Sequence, residues 1–172
     1  VKVLIVRESY FGNGTKVVDS VATAIAQQLG DDAVEVVEAG EAPISLPEDL
    51  VALIVSAPTH ELSLPTPKTR QAAREQGAAN GFEHGLREWI DAVEVRDNLM
   101  VIAIDTCTKI SSVIGSASKA AVKGLKKRGF TDVHRGPSFL VGGTEGPLQS
   151  DEINKAQAWG KEFGAGVLTS VA

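Results

Sequence analysis

Cysteine and long apolar runs are scarce in this chain, and each scarcity removes a class of protein. Cys107 is the one cysteine among 172 residues, so no intrachain disulfide can form and a disulfide scaffold is excluded. A lone thiol fits a reducing compartment, and the expectation is a cytoplasmic protein. The most apolar stretch, Asp49-Leu-Val-Ala-Leu-Ile-Val-Ser56, falls far short of the roughly 18 residues that a membrane span needs. The first residues open directly into a strand-like run, with no basic-then-apolar leader. Positive charge is not in excess either: the net charge is −5, which argues against a nucleic-acid partner, because phosphate backbones select basic surfaces. His60, His84 and His134 have no metal-site spacing, so no bound metal is expected. There is no Gly-x-Ser-x-Gly elbow, no Walker loop and no Gly-x-Gly-x-x-Gly, which removes the hydrolase, nucleotidase and dinucleotide-binding readings. No repeat or linker divides the chain, so residues 1–172 are expected to form one domain. At this length a chain buries roughly 70% of its unfolded surface and holds a core unaided.

What is present is an alternation. Short apolar runs at Val1–Val6, Val34–Val37, Leu50–Ser56, Leu99–Ile104 and Phe139–Val141 read as strands, the last extendable back to Val133. Between them lie segments of helical period. Val18, Val21, Ala22, Ile25 and Leu29 make a stripe within Thr15–Leu29. Thr66 followed by Pro67 predicts a capped helix start, and that short helix should end near Gly77. Leu86, Trp89, Ile90 and Val93 mark another helix, and Ser116–Arg128 ends at Gly129 with cations in its last turn. Ser150 is expected to cap a final helix that buries Ile153, Ala156, Gly160 and Phe163. Pro137 puts the fifth strand at a sheet edge. Strands that alternate with helices imply right-handed crossovers and one parallel sheet covered on both faces. Five such strands fit the doubly wound order 2-1-3-4-5, whose ligands sit outside the carboxyl ends of the strands, between strands 1 and 3.

The loops at that rim are Arg7–Thr15, Ala57–Thr66 and Asp105–Gly115. The first supplies hydroxyls from Ser9, Tyr10 and Thr15, the Asn13 amide, and two glycines, Gly12 and Gly14, just where a helix begins. First-turn amides lack intrahelical acceptors and lie at the positive end of the helix dipole, so they can hold a phosphate with neutral donors. Glu8 stands beside this loop as a charge that opposes an anion, and Lys16 as one that offsets it. Asp105, which ends strand 4, can either cap the next turn or accept from a ligand N–H. Cys107 reads as small apolar filler and Lys109 as a solvated loop residue. The glycine-rich Gly142–Leu148 reads as a tight turn on the same rim, and Trp89 and Trp159 as core.

Glu8-Ser-Tyr-Phe-Gly-Asn-Gly-Thr15 resembles the flavodoxin phosphate loop, Ser/Thr-x-Ser/Thr-Gly-Asn-Thr. Ser9, Gly12, Asn13 and Thr15 match it if Gly14 is an inserted residue, and Phe11 stands where a hydroxyl is common. Ala57-Pro-Thr-His-Glu-Leu-Ser-Leu-Pro65 is similar to the flavodoxin loop that holds the flavin ring. Gly85–Ile90 and Ser138–Leu148 resemble one branch of small flavodoxin-domain proteins. The resemblance implies a flavodoxin-like three-layer α/β fold and an FMN cofactor. It implies FMN contacts from Ser9, Tyr10, Phe11, Gly12, Asn13, Gly14 and Thr15, from Pro58, Thr59, His60 and Glu61, and from Asp105, Thr106, Cys107, Thr108 and Lys109. It also implies a redox partner protein such as a reductase. Neither ring loop contains Phe, Tyr or Trp, unlike the usual aromatic sandwich. Two readings follow: an FMN protein acting in electron transfer or as an FMN-dependent reductase, or a flavodoxin-like interaction module that has lost flavin binding.

Overall fold

The structure, a computed structural model, describes residues 2–78 and 83–171. Five strands form one parallel sheet: β1 (Lys2–Arg7), β2 (Val34–Glu38), β3 (Leu50–Pro58), β4 (Met100–Cys107) and β5 (Val133–Leu140). Their spatial order is β2-β1-β3-β4-β5, the doubly wound order expected. Val1, with which the expected first strand opens, lies outside the described residues.

The middle strands are apolar on both sides because both sides are covered. Val3, Ile5, Ala52, Ile54, Ile104 and Phe139 pack on one face against α1 (Asn13–Leu29) and α6 (Glu152–Val171). Leu4, Val6, Leu53, Val55, Val101 and Ala103 pack on the other face against α3 (Leu86–Ala92) and α5 (Ala117–Arg128). Trp89 is buried there and its indole N–H donates to the Pro43 carbonyl at 3.1 Å. Trp159, expected in the core, is only half-buried and stacks on Phe163 instead.

Local signals set most boundaries. The Thr66 hydroxyl accepts from the Thr69 amide at 3.2 Å, and the Thr69 hydroxyl accepts from the Thr66 amide at 2.9 Å. This reciprocal cap starts α2 (Pro67–Glu75) and is worth about 1 kcal/mol. Two expectations fail. α6 begins at Glu152, so Ser150 does not cap it; Asp151 takes positive φ instead, and the Glu152 carboxylate accepts from the Leu140 amide at 2.9 Å. The third rim loop is not all loop: it holds a short helix, α4 (Lys109–Ile114), capped by the Thr108 hydroxyl. β5 is an edge strand, as Pro137 requires, and its pairing with β4 shifts register around that residue.

Candidate functional site

A cavity of about 330 Å³ opens at the carboxyl ends of β1, β3 and β4. Of the expected residues, Ser9, Tyr10, Phe11, Asn13, Gly14, Pro58, Thr59, His60, Glu61, Thr106, Cys107 and Thr108 line it. Gly12, Thr15, Asp105 and Lys109 do not. Gly12 acts from behind: as the residue before α1 it adopts φ +85, a left-handed conformation that costs glycine little. This turn aims the start of α1 at the cavity.

Gly14 lies buried within the first turn of α1, which runs unbroken from Asn13, with Thr15 one step round the helix. A hydroxyl-bearing side chain at 14 would crowd Ser9, because a Cβ there would sit 3.3 Å from the Ser9 hydroxyl. That hydroxyl accepts from the Thr15 amide at 3.3 Å. Among the described residues, the Gly12, Asn13 and Gly14 amides meet no acceptor. They are donors left over at a helix start. No lysine or arginine lines the cavity, and Lys16 points to solvent, so the donors an anion would meet are uncharged; Glu61, on the Ala57–Thr66 loop, is the acidic residue of the wall.

The Glu8 carboxylate turns away from the cavity into the protein. Glu8 is 3% exposed and Arg70, on α2, is 2% exposed. The Arg70 Nε donates to Glu8 Oε1 at 2.9 Å, and its terminal nitrogens donate to Glu88 at 2.5 and 3.0 Å. Glu8 Oε2 accepts from the Leu86 amide at 2.8 Å, at the start of α3, and Oε1 also accepts from the Tyr10 hydroxyl. Burial alone would lower the guanidinium pKa, but hydrogen bonds and charge from Glu88 and Glu8 raise it. Burial would likewise raise Glu88, yet Arg70 and the Gly85 amide hold it below the usual carboxylate range. Burial, then the Glu8 charge, push the Tyr10 phenol up. Phe11, half-buried, forms part of the cavity wall without filling it.

His60, on the Ala57–Thr66 loop, sits between α2 and Tyr10 of the first loop. Its Nδ1 lies 3.0 Å from the Thr69 hydroxyl and its ring centroid 5.5 Å from that of Tyr10. Burial lowers its pKa below 6.5 against the opposing pull of Glu8, so it is neutral near pH 7. After it, Glu61 and Leu62 both take positive φ, 48 and 64, between the His60–Ser63 bridge hydrogen bonds of 2.9 and 3.0 Å. Thr59 is also engaged: its hydroxyl accepts from the Ala117 amide at 3.0 Å.

Asp105 is a cap rather than a cavity residue. It is 1% exposed, Oδ2 accepts from the Ser118 amide at 2.7 Å, and Oδ1 has no partner among the described residues. The strand runs on past it, so Thr106 and Cys107 reach the cavity at the carboxyl end of β4 while Asp105 lies one step deeper, against the start of α5. Burial, then Asp105, push the Cys107 thiol up to about 11. Lys109 is exposed at the start of α4.

Sequence reasoning missed part of the wall. Thr69, Ala72, Ala73 and Gln76 line it from α2, and Ser111 from α4. The spacing of those α2 residues was the available signal, since i, i+3, i+4 and i+7 share a helix face. Val141, Gly143 and Thr144 line it from the loop read as a tight turn. Beside the mouth, Ile110, Val113 and Ile114 are 65–76% exposed. Among the described residues no helix is long and apolar enough to cross a membrane, and no group of three or more His, Cys, Asp or Glu gathers to hold a metal.

No family model matches this chain, and no curated protein does. Solved structures do. An archaeal flavodoxin superposes with a TM-score of 0.64 at 15% identity, covering 97% of this chain and 99% of that one. The oxidised flavodoxin 1 of Bacillus cereus gives 0.65 at 18% identity, covering 95% and 97%. An azoreductase from Bacillus anthracis gives 0.53 at 10% identity, covering 97% and 98%. Similarity this dilute in sequence and this complete in length is a likeness of fold, and with the strand order and flanking helices it shows that this chain has the flavodoxin-like fold.

Proposed function

We propose that this chain binds FMN in the cavity at the carboxyl ends of β1, β3 and β4 and serves as a flavin-dependent redox protein. One observation carries the reading. The start of α1 offers unclaimed amide donors to the cavity, while the acidic side chain of that loop is drawn inward by Arg70. A dianionic phosphate needs both: donors without partners, and no carboxylate facing it.

The residues present divide the work. Ser9 and the Asn13 and Gly14 amides would hold the phosphate. Tyr10, Pro58, Thr59, His60 and Thr108 would border the ring system. When bound, the isoalloxazine supplies the one- or two-electron chemistry. The chain's part is to orient the ring and set its surroundings. Neutral His60, held through Nδ1 by Thr69, can present Nε2 to a ring-edge polar atom without adding charge. No side chain lining the cavity is placed as a catalytic acid or base.

The test is a spectrum followed by a titration. A yellow protein as purified, or a colourless one that takes up FMN and shifts the flavin absorbance, supports the reading. A colourless chain that ignores added FMN refutes it and leaves an interaction module on the same fold.

A further inference from the structure

We propose that Thr144, on the loop after β5, is a second phosphate-holding residue and makes this cavity selective for phosphorylated flavin; the proposal rests on the FMN reading above. The first loop is poor in the hydroxyls its position calls for. Phe11 has none, Gly14 has none, and the Thr15 side chain is not among the cavity-lining groups. The loop after β5 stands across from that deficit. Gly143 and Thr144 line the same cavity as Ser9, Asn13 and Gly14.

The two loops are fastened together. The Asn13 side-chain amide donates to the Glu145 carbonyl at 3.1 Å, across 132 residues of sequence. Gly146 lies flush against Asn13: a Cβ there would come 2.5 Å from Asn13 Nδ2, and the residue takes φ +103. At the other end, Val141 and Leu148 bridge, and the Gly142 amide donates to the Pro147 carbonyl at 2.9 Å. Thr144 is thus exposed at the tip of a loop whose base and flank are both pinned. Asn13, which the motif would commit to the ligand, is occupied in holding that loop. The Glu145 side chain is exposed and is not among the cavity-lining groups, so the loop brings a neutral hydroxyl to the phosphate end without a carboxylate.

The experiment compares FMN with riboflavin, which lacks the phosphate, on the full chain and on Thr144→Val and Thr144→Ser. Thr144 makes no side-chain hydrogen bond to the described residues, so Thr144→Val leaves the fold unchanged, which a circular dichroism spectrum checks. The full chain should prefer FMN. Thr144→Val should lose about tenfold in FMN affinity, the scale of one hydrogen bond to a charged group, with riboflavin affinity unmoved. Thr144→Ser should restore it. A chain that prefers FMN and keeps that preference in Thr144→Val overturns this proposal alone. Equal losses for both flavins also overturn it. A chain that takes up riboflavin as well as FMN overturns it together with the phosphate half of the FMN reading, and one that takes up neither overturns both.

Discussion

Replacing Arg70 with methionine should destabilise this protein by about 3–5 kcal/mol, the cost of leaving a buried charge without its partner. Arg70 is fully enclosed, and it donates to two carboxylates and to the Pro65 and Glu83 carbonyls at 3.3 and 3.1 Å. Methionine fills much of the same volume but leaves Glu8, itself 3% exposed, with the Tyr10 hydroxyl and the Leu86 amide alone. Typical domains have ~5–15 kcal/mol of stability, so about a fifth or more would go. Urea unfolding reads the effect directly. With a slope near 2 kcal/mol/M, the midpoint should fall by about 1.5–2.5 M while the slope stays constant. Glu8→Gln should cost less, because Arg70 keeps Glu88 as its charge partner. The double variant should be far more stable than the sum of the two losses implies, with a coupling of about 2 kcal/mol or more. A loss below about 1 kcal/mol for Arg70→Met, with the slope unchanged, would refute the claim that this pair is held in a dry, low-dielectric setting. It would then behave like an exposed ion pair.

Three further outcomes follow from the same geometry. His60 has a folded pKa below its unfolded value, chiefly through burial; its contribution is therefore complete above about pH 6.5 and is lost as pH falls through the folded value. His60→Gln should flatten the fall in thermal midpoint between pH 7 and pH 5, and an unchanged slope over that range would count against it. Glu61 and Leu62 occupy left-handed conformations that suit Asn and Gly, so the pair Glu61→Asn and Leu62→Gly should raise stability by about 1 kcal/mol in denaturant titration. Cys107 is 2% exposed with a pKa pushed up to about 11. A chromogenic disulfide reagent at pH 8 should label it only after guanidinium unfolding; fast labelling of native protein contradicts its burial.

The fold was legible because its signals are local and repeated. Apolar runs of strand length, a Thr-Pro cap and a Gly stop each fix one boundary without help from distant residues. Errors arose where a tertiary contact outweighed the local cue. Ser150 looked like a cap, yet Glu152 reaches back to the Leu140 amide and the helix starts there instead. α4 escaped notice because six residues of mixed polarity, none of them buried, show no periodic stripe. Trp159 lay on the apolar side of its helix, but α6 turns that edge partly to solvent.

At the site, the three expected loops all contribute to the cavity wall, but not every residue expected there lines it. Ser9, Gly12, Asn13 and Thr15 matched the flavodoxin pattern with Gly14 as an insertion; a motif is a string, whereas a helix counts by angle, and in the folded chain Gly14 lines the cavity and Thr15 does not. Asp105 was expected to end its strand, but β4 continues to Cys107, and the Asp105 carboxylate is taken up by the Ser118 amide at the start of α5. The largest omission is Glu8. Read along the chain, it is an acid beside a phosphate loop and counts against anion binding. Arg70 lies 62 residues away, on a helix whose own pattern gives no hint of a buried charge, and no spacing rule connects them. Once the two are paired, the sign of the inference reverses. The carboxylate that should repel an anion becomes the anchor that joins the first loop to α2 and the start of α3, so whatever strains that anchor should also move Tyr10, whose hydroxyl donates to Glu8 and which lines the cavity.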